Sequence, residues 1–197
     1  MSDRIILWDV MGTLVHDPFY VEVPAFFGMT LEALLEVKHP SVWSACERGD
    51  LPVEDMERSF FVDGRDYDIE GLRRTMFEAY RLLDGIEDLL GALEGVPMHV
   101  VSNYTPWYQM IEDKLALSRW MSWSFVSCDV GYRKPEAGYY QAVLDRLGVA
   151  GASCVFIDDR EGNCKGARAA GMEAIRFEDA VGTRTSLARL GFGDLLD

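Results

Sequence analysis

Ile5-Ile6-Leu7-Trp8-Asp9-Val10-Met11-Gly12-Thr13 is the stretch on which the fold of this chain turns. Four apolar residues end abruptly on a carboxylate, and a short turn containing glycine follows. Parallel strands buried on both faces read as continuous apolar runs, and ligands of open α/β sheets gather where the carboxyl ends of the strands point. Asp9 is therefore expected at the mouth of a site. Gly12 lets the backbone approach a ligand closely, and the Thr13 hydroxyl suits either an anion or the capping of the turn. A first strand ending in a solvated turn accounts for this window alone equally well, so the decision rests on what recurs downstream.

From Asp84-Gly85 onward, helical and extended patterns alternate. Strands are expected at 98–101, 123–126, 154–157 and 174–177. Helices are expected at 86–93, 107–117, 137–147 (stopped by Gly148) and 162–170 (stopped by Gly171), with a last one running through Leu187. Strands spaced by helices build right-handed βαβ units, so the expected class is α/β with a doubly wound parallel sheet. From about Phe19 to Leu83 no strand pattern appears. Leu31, Leu34, Leu35 and Val37 follow a 3.6-residue period after Thr30 as N-cap, Leu51-Pro52-Val53-Glu54 opens another helix, and Ile69, Leu72, Met76, Phe77 and Tyr80 mark a third. The expected organisation is a core formed by 1–16 and 84–197, with a small helical subdomain, 17–83, inserted after the first strand. Most aromatics of the insert (Phe26, Phe27, Trp43, Phe60, Phe61, Tyr67) are expected to form its own core.

Composition sets the bounds. The 197 residues are 49% hydrophobic and 26% charged, which fits a globular protein with an ample core. Nineteen basic residues against 33 acidic ones give a formal charge of −14. That balance disfavours nucleic acid and anionic membranes as partners, and an anionic substrate must be drawn in locally by a metal ion or clustered cations. Cys46, Cys128, Cys154 and Cys164 are scattered and read as reduced core residues. The opening Met1-Ser2-Asp3-Arg4 shows no leader, and no apolar run approaches the roughly 20 residues of a membrane span. A cytoplasmic location and a monomeric or homodimeric state are the corresponding expectations.

Polar residues recur at the carboxyl ends of the expected strands: Asp9, then Ser102-Asn103, then Lys134-Pro135, then Asp158-Asp159. Each alone is weak, since a Ser after a strand is commonly a turn and paired acids are commonly solvated. Together they place a nucleophilic carboxylate, a hydroxyl, a cation and two acids on one sheet edge. That set suits phosphoryl transfer. Asp9 attacks and holds the group covalently, Ser102 and Lys134 neutralise its oxygens, and Asp9 with Asp158 and Asp159 holds a hard divalent cation such as Mg²⁺.

These four segments resemble the four motifs of the haloacid dehalogenase superfamily, in order and over nearly the whole chain. Trp8–Pro18, Pro24–Met29, Ser102–Tyr108, Ile111–Leu115, Ser122–Cys128 and Phe156–Arg160 are further similar to the flavin mononucleotide hydrolases of plant plastids within it. The resemblance implies a helical cap after the first motif, a small phosphorylated metabolite as substrate, and Mg²⁺ held by Asp9, the Met11 backbone carbonyl, Asp159 and Asp158, the last directly or through water. Gly12, Thr13, Asn103, Tyr104 and Trp107 are the expected substrate contacts. For the two aromatics, stacking on a flavin-like ring and packing in the core remain equal readings. Met11 departs from the superfamily's pattern, whose phosphatases carry an acid/base Asp there, and a thioether cannot exchange protons. Three functions follow in order of preference. They are a Mg²⁺-dependent phosphohydrolase working through an aspartyl-phosphate, a phosphate- and metal-binding protein with little turnover, and a 2-haloacid dehalogenase. His16 is either a substitute acid/base or a packed flap residue. Arg48, Arg58, Arg65, Arg73, Arg74 and Arg81 are expected to be solvated helix charges, with a second anionic group held by one or two on the core-facing side as the alternative.

Overall fold

Five parallel strands form one sheet: β1 (Ile5–Trp8), β2 (Met98–Ser102), β3 (Ser122–Val126), β4 (Cys154–Asp158) and β5 (Glu173–Arg176), in the order β3-β2-β1-β4-β5. The structure is a computed structural model describing residues 4–196. Met1-Ser2-Asp3, on which the absence of a leader was read, and Asp197 lie outside the described residues. β1 is central, Trp8 standing level with Val100 of β2 and Ile157 of β4. Every strand expected from the apolar runs is present to within a residue at either end.

The helices, in chain order, are α1 (Glu22–Phe26), α2 (Leu31–Val37), α3 (Val42–Glu47), α4 (Val53–Arg58), α5 (Ile69–Ala79), α6 (Ile86–Ala92), α7 (Tyr108–Leu115), α8 (Ser127–Val130), α9 (Ala137–Leu147), α10 (Glu161–Ala169), α11 (Ala180–Leu187) and α12 (Gly193–Leu196). Alternate side chains of each strand enter opposite layers, as the two-residue period of a strand requires. Leu7, Val101, Phe125 and Phe156 pack with Tyr139, Tyr140 and Val143 of α9 and Cys164 and Ala167 of α10. Ile6, Trp8, Val100 and Ile157 enter the other layer, with Leu89 and Leu90 of α6, Ile111 of α7 and Leu187 of α11. Both faces are covered, which is the doubly wound arrangement expected.

The same layer continues into the helices of 22–79, through Leu34, Met56, Phe60, Phe61, Leu72 and Met76. Thr30 caps α2 by accepting the Ala33 N–H, and Asp68 caps α5 through Gly71. The aromatics there pack on one another: Phe27 lies 5.7 Å from Phe60, 5.0 Å from Phe61 and 5.6 Å from Tyr67, ring centre to ring centre. Among the described residues this segment contains no strand, only an isolated bridge from Lys38 to Phe61. The chain enters and leaves it side by side, with His16 N–H donating to Arg81 O and Leu83 N–H to Leu14 O. The four cysteines are unpaired, and among the described residues no helix is long and apolar enough to cross a membrane.

Candidate active site

β1 delivers Asp9 to the carboxyl edge of the sheet, and a tight turn follows at once. Val10 O accepts from the N–H groups of Thr13, Leu14 and Val15, and Gly12 N–H closes back on Val15 O. Gly12 sits at φ +78°, a conformation that glycine adopts freely. A Cβ there would stand 3.0 Å from Asp159 Oδ2, so the turn presses directly on the fourth motif. Thr13 is buried and joins the two strands: its hydroxyl donates to Asp9 Oδ2 at 3.2 Å and accepts the Asp159 N–H at 3.2 Å.

Lys134 arrives from the loop between α8 and α9, its side chain 1% exposed. Its ammonium donates to Asp9 Oδ1 at 2.6 Å, Asp158 Oδ2 at 2.6 Å and Val101 O at 2.7 Å. An ammonium has three donors, so all three are committed, and Lys134 acts here as a charge that positions Asp9. Asn103 fixes the lysine's backbone, accepting Lys134 N–H at 2.8 Å and donating to Lys134 O at 2.9 Å. The Lys134–Pro135 peptide is cis.

Asp9, Asp158 and Asp159 each offer an oxygen within 4.8 Å of the others. Asp158 is fully buried and engaged, accepting from Lys134, Asn163 Nδ2 and the Arg160 N–H. Asp159 Oδ1 is buried with no hydrogen-bond partner. Three carboxylates share one buried ammonium, and the balance shows at Asp9. Burial pushes its carboxyl up to about 7 against the opposing pull of Lys134, with Asp158 and Asp159 adding to the rise. A hard divalent cation satisfies both features, supplying the missing charge and a partner for the orphaned oxygen. The residues present therefore fit Mg²⁺.

Above Asp9 opens a cavity of about 350 Å³, walled on one side by the strand ends and on the other by the helices of 22–79. Asp9, Met11, Asn103, Tyr104, Lys134 and Asp159 line it among the expected residues. Gly12 lines an adjoining pocket with His16. Ser102, Thr13 and Asp158 lie behind the lining, buried at the strand ends. Tyr104 faces the cavity, while its hydroxyl is spent on Tyr80 OH at 2.8 Å.

Trp107 departs from its expected place as a substrate contact. Its indole N–H donates to the buried Glu57 at 3.0 Å and its ring stands edge-on to Trp43, so it packs behind the wall. Arg73 departs from the solvated reading, holding the same Glu57 and lying over the Trp107 ring. His16 is bonded to Glu22 at 2.9 Å.

Beside the expected Asp9, Lys134 and Asp159, the cavity gathers charged groups that no sequence pattern singles out, among them Lys38, Glu47 and Arg133. Lys38, Arg133, Lys134 and Arg160 face Asp9, Asp17, Glu47 and Asp159, four cations to four carboxylates within a strongly acidic protein. This is the local attraction for an anion that the overall charge demands. Glu47 and Arg133 carry no local signal because each finds its partner far away along the chain.

Comparison with known proteins agrees with the geometry. A family model of haloacid dehalogenase-like hydrolases matches residues 4–171. Flavin mononucleotide hydrolase 1 of Arabidopsis thaliana, a chloroplast protein by its name, is 48% identical over 189 residues, covering 95% of this chain and 77% of the relative. A phosphatase of Mycobacterium tuberculosis is 39% identical over 70 residues, 34% of this chain and 32% of the relative. Among solved structures, a haloacid dehalogenase family enzyme of Bacteroides thetaiotaomicron in complex with magnesium and inorganic phosphate superposes with a TM-score of 0.70 at 18% identity, covering 89% of this chain and 96% of its own. The L-2-haloacid dehalogenase of Xanthobacter autotrophicus gives 0.64 at 16% identity, covering 95% and 83%. At such identities these two show the fold. The family model and the Arabidopsis relative carry the assignment: this chain is a member of the haloacid dehalogenase-like hydrolase family.

Proposed function

We propose that this enzyme is a Mg²⁺-dependent phosphomonoesterase acting through an aspartyl-phosphate on Asp9, with flavin mononucleotide or a similar small phosphate as substrate. The observation that carries this reading is Asp9 itself. It stands at the foot of a cavity, both oxygens held, beside an acidic cluster with one orphaned oxygen. Asp9, Asp159 and the Met11 carbonyl would hold Mg²⁺, with Asp158 behind them. When bound, the ion supplies positive charge to the phosphate oxygens.

The chain's own residues do the rest. Thr13 and Lys134 fix the plane of the Asp9 carboxylate, so that it meets the phosphorus already oriented. Asp9 forms a bond to phosphorus as the bond to the leaving oxygen breaks, and that oxygen takes a proton from solvent. Water then attacks the phosphorus and gives up a proton to solvent, the bond to Asp9 breaks, and the carboxylate is restored. Lys134 offsets negative charge throughout from within the buried site.

The identity of the substrate rests on the Arabidopsis relative, and the volume and aromatic lining of the cavity support it, with Phe19, Trp43, Phe60 and Tyr104 on its walls. A second reading, slow turnover, is favoured by Met11. Its thioether lines the cavity where the superfamily's phosphatases place a proton donor.

The test is phosphate release from flavin mononucleotide, an alkyl phosphate and an aryl phosphate, with and without Mg²⁺, beside Asp9→Asn. Asparagine keeps the shape of the side chain and cannot attack. Mg²⁺-dependent release that Asp9→Asn abolishes is the expected result. Undiminished release by a folded Asp9→Asn protein excludes the covalent route. Chloride released from a 2-haloacid, with no phosphatase activity, overturns the reading in favour of a dehalogenase.

A further inference from the structure

The cavity holds a second polar centre that the chemistry at Asp9 does not use. Glu47, the last residue of α3, is 6% exposed. Its Oε1 accepts the indole N–H of Trp43 at 2.9 Å. Its Oε2 lies 2.8 Å from Arg133 Nη2, yet the alignment leaves Oε2 without a hydrogen bond, and Arg133 Nε is buried with no partner either. Unsatisfied buried polar atoms are rare because each forfeits its hydration. Here a buried donor without a partner, Arg133 Nε, stands beside an acceptor held only by a poorly aligned ion pair, on two residues that line an open cavity.

A simple latch between α3 and the loop bearing Lys134 does not require this. The next residue, Arg48, already makes that connection at the surface, 2.8 Å from Glu136, and Gly49 packs on the Cys128 carbonyl. Nor do Glu47 and Arg133 rank among the charges acting most strongly on Asp9, which are Lys134, Asp158 and Asp159. The cavity that Glu47 and Arg133 line carries three rings, Trp43, Phe60 and Tyr104, beside the charged Lys38 and Arg160.

We propose that Glu47 and Arg133 form an anchor for the edge of a planar heterocycle. Glu47 Oε2 accepts from a ring N–H, and Arg133 Nε donates to the neighbouring carbonyl or ring nitrogen. The substrate class is then a phosphomonoester whose leaving group ends in an imide- or amide-edged ring. The flavin ring, with an N–H flanked by two carbonyls, is the member tested. The inference rests on the phosphatase reading for the direction of the ligand, phosphate toward Asp9.

The experiment separates the two. Riboflavin, which has the ring and no phosphate, is titrated with protein and its binding followed by fluorescence anisotropy. In parallel, kcat/KM is measured for flavin mononucleotide and for phenyl phosphate. The variants are Glu47→Gln and Arg133→Lys, both checked for folding by thermal melting. In Glu47→Gln the single amide oxygen goes to Trp43 and an NH₂ is left facing the ring N–H. Arg133→Lys keeps the charge and loses the planar fork.

Losing a hydrogen bond to a charged group predicts riboflavin binding weakened roughly ten-fold or more. The flavin mononucleotide to phenyl phosphate ratio falls by a similar factor, through KM more than kcat. Folded variants that bind riboflavin as wild type does, or that lose both substrates in proportion, overturn the anchor. Wild-type protein that hydrolyses phenyl phosphate and binds no riboflavin also overturns it and leaves the phosphatase reading standing. Riboflavin binding without any phosphate release leaves the anchor and removes the phosphatase.

Discussion

Replacing Lys134 by Met tests whether one buried ammonium holds the site together. The methionine keeps much of the side chain's length and apolar bulk and removes the charge. Asp9 and Asp158 then lose their 2.6 Å partner and Val101 O its 2.7 Å donor, all at a side chain 1% exposed. Removing one member of a buried pair costs about 3–5 kcal/mol, because the remaining charge is uncompensated. For a domain of this size each kcal/mol lowers Tm by roughly 2–4 °C, so the expected drop is about 6–20 °C. The effect has a definite pH sign. Asp9 is already pushed up to about 7 by burial against the pull of Lys134, and without the ammonium it rises further. A carboxyl with a raised folded pKa contributes stability at low pH that is lost as pH rises through that value. The deficit of Lys134→Met should therefore be smaller near about pH 5 than near about pH 8. Thermal melts of metal-free protein across that range read it directly. A melting point within about 2 °C of wild type at both ends would refute the view that Lys134 compensates these carboxylates.

Three further substitutions probe the surroundings. Met11→Asp restores a proton donor, and since acid–base assistance is worth about 10²–10⁴-fold, alkyl phosphates should gain far more than aryl ones. Wild-type hydrolysis of both at equal rates, with no burst of product, shows that another group already supplies the proton. Gly12→Ala imposes φ +78° on a residue with a Cβ, at about 1–2 kcal/mol, and sets that atom 3.0 Å from Asp159 Oδ2. It should raise the Mg²⁺ concentration needed for half-maximal phosphate release, and an unchanged requirement counts against Asp159 as a ligand. Trp107→Phe removes one donor from buried Glu57, which keeps Arg73. A loss of about 1–3 kcal/mol in chemical unfolding is expected, and a changed KM for flavin mononucleotide would return Trp107 to the cavity wall.

The central strands β1, β2 and β4 were legible because they are buried on both faces and stand out as apolar runs, and the half-exposed edge strands β3 and β5 follow from their spacing between helices. The limits of α9 follow from Gly148, which takes φ +67° and stops the helix, and the start of α2 follows from Thr30. Short elements such as α3 and α8 were not legible: a turn or two of helix shows no period, and packing against other elements settles its conformation. The same divide runs through the site. Asp9, Lys134 and Asp159 could be placed because strand ends gather on one edge. Trp107 follows Ser102 closely in sequence, yet the loop before α7 turns it toward Glu57. Glu47 and Arg133 meet only when the helical segment closes over the sheet, a relation that no local pattern encodes.

The position of β1 at the centre of the sheet has a consequence for how the chain comes into being. Ile5–Trp8 is synthesised well before its two neighbours, β2, beginning at Met98, and β4, beginning at Cys154. One edge of β1 stays unpaired until Met98–Ser102 exists, and the other until Cys154–Asp158 does. Pairings this distant along the chain fold slowly, and unpaired apolar strands invite association with other chains in the meantime. Asp9 meets Thr13 early, but Lys134 and Asp158 come to it only when both edges have closed. Recovery of catalysis during refolding is thus a report on the completion of the whole sheet.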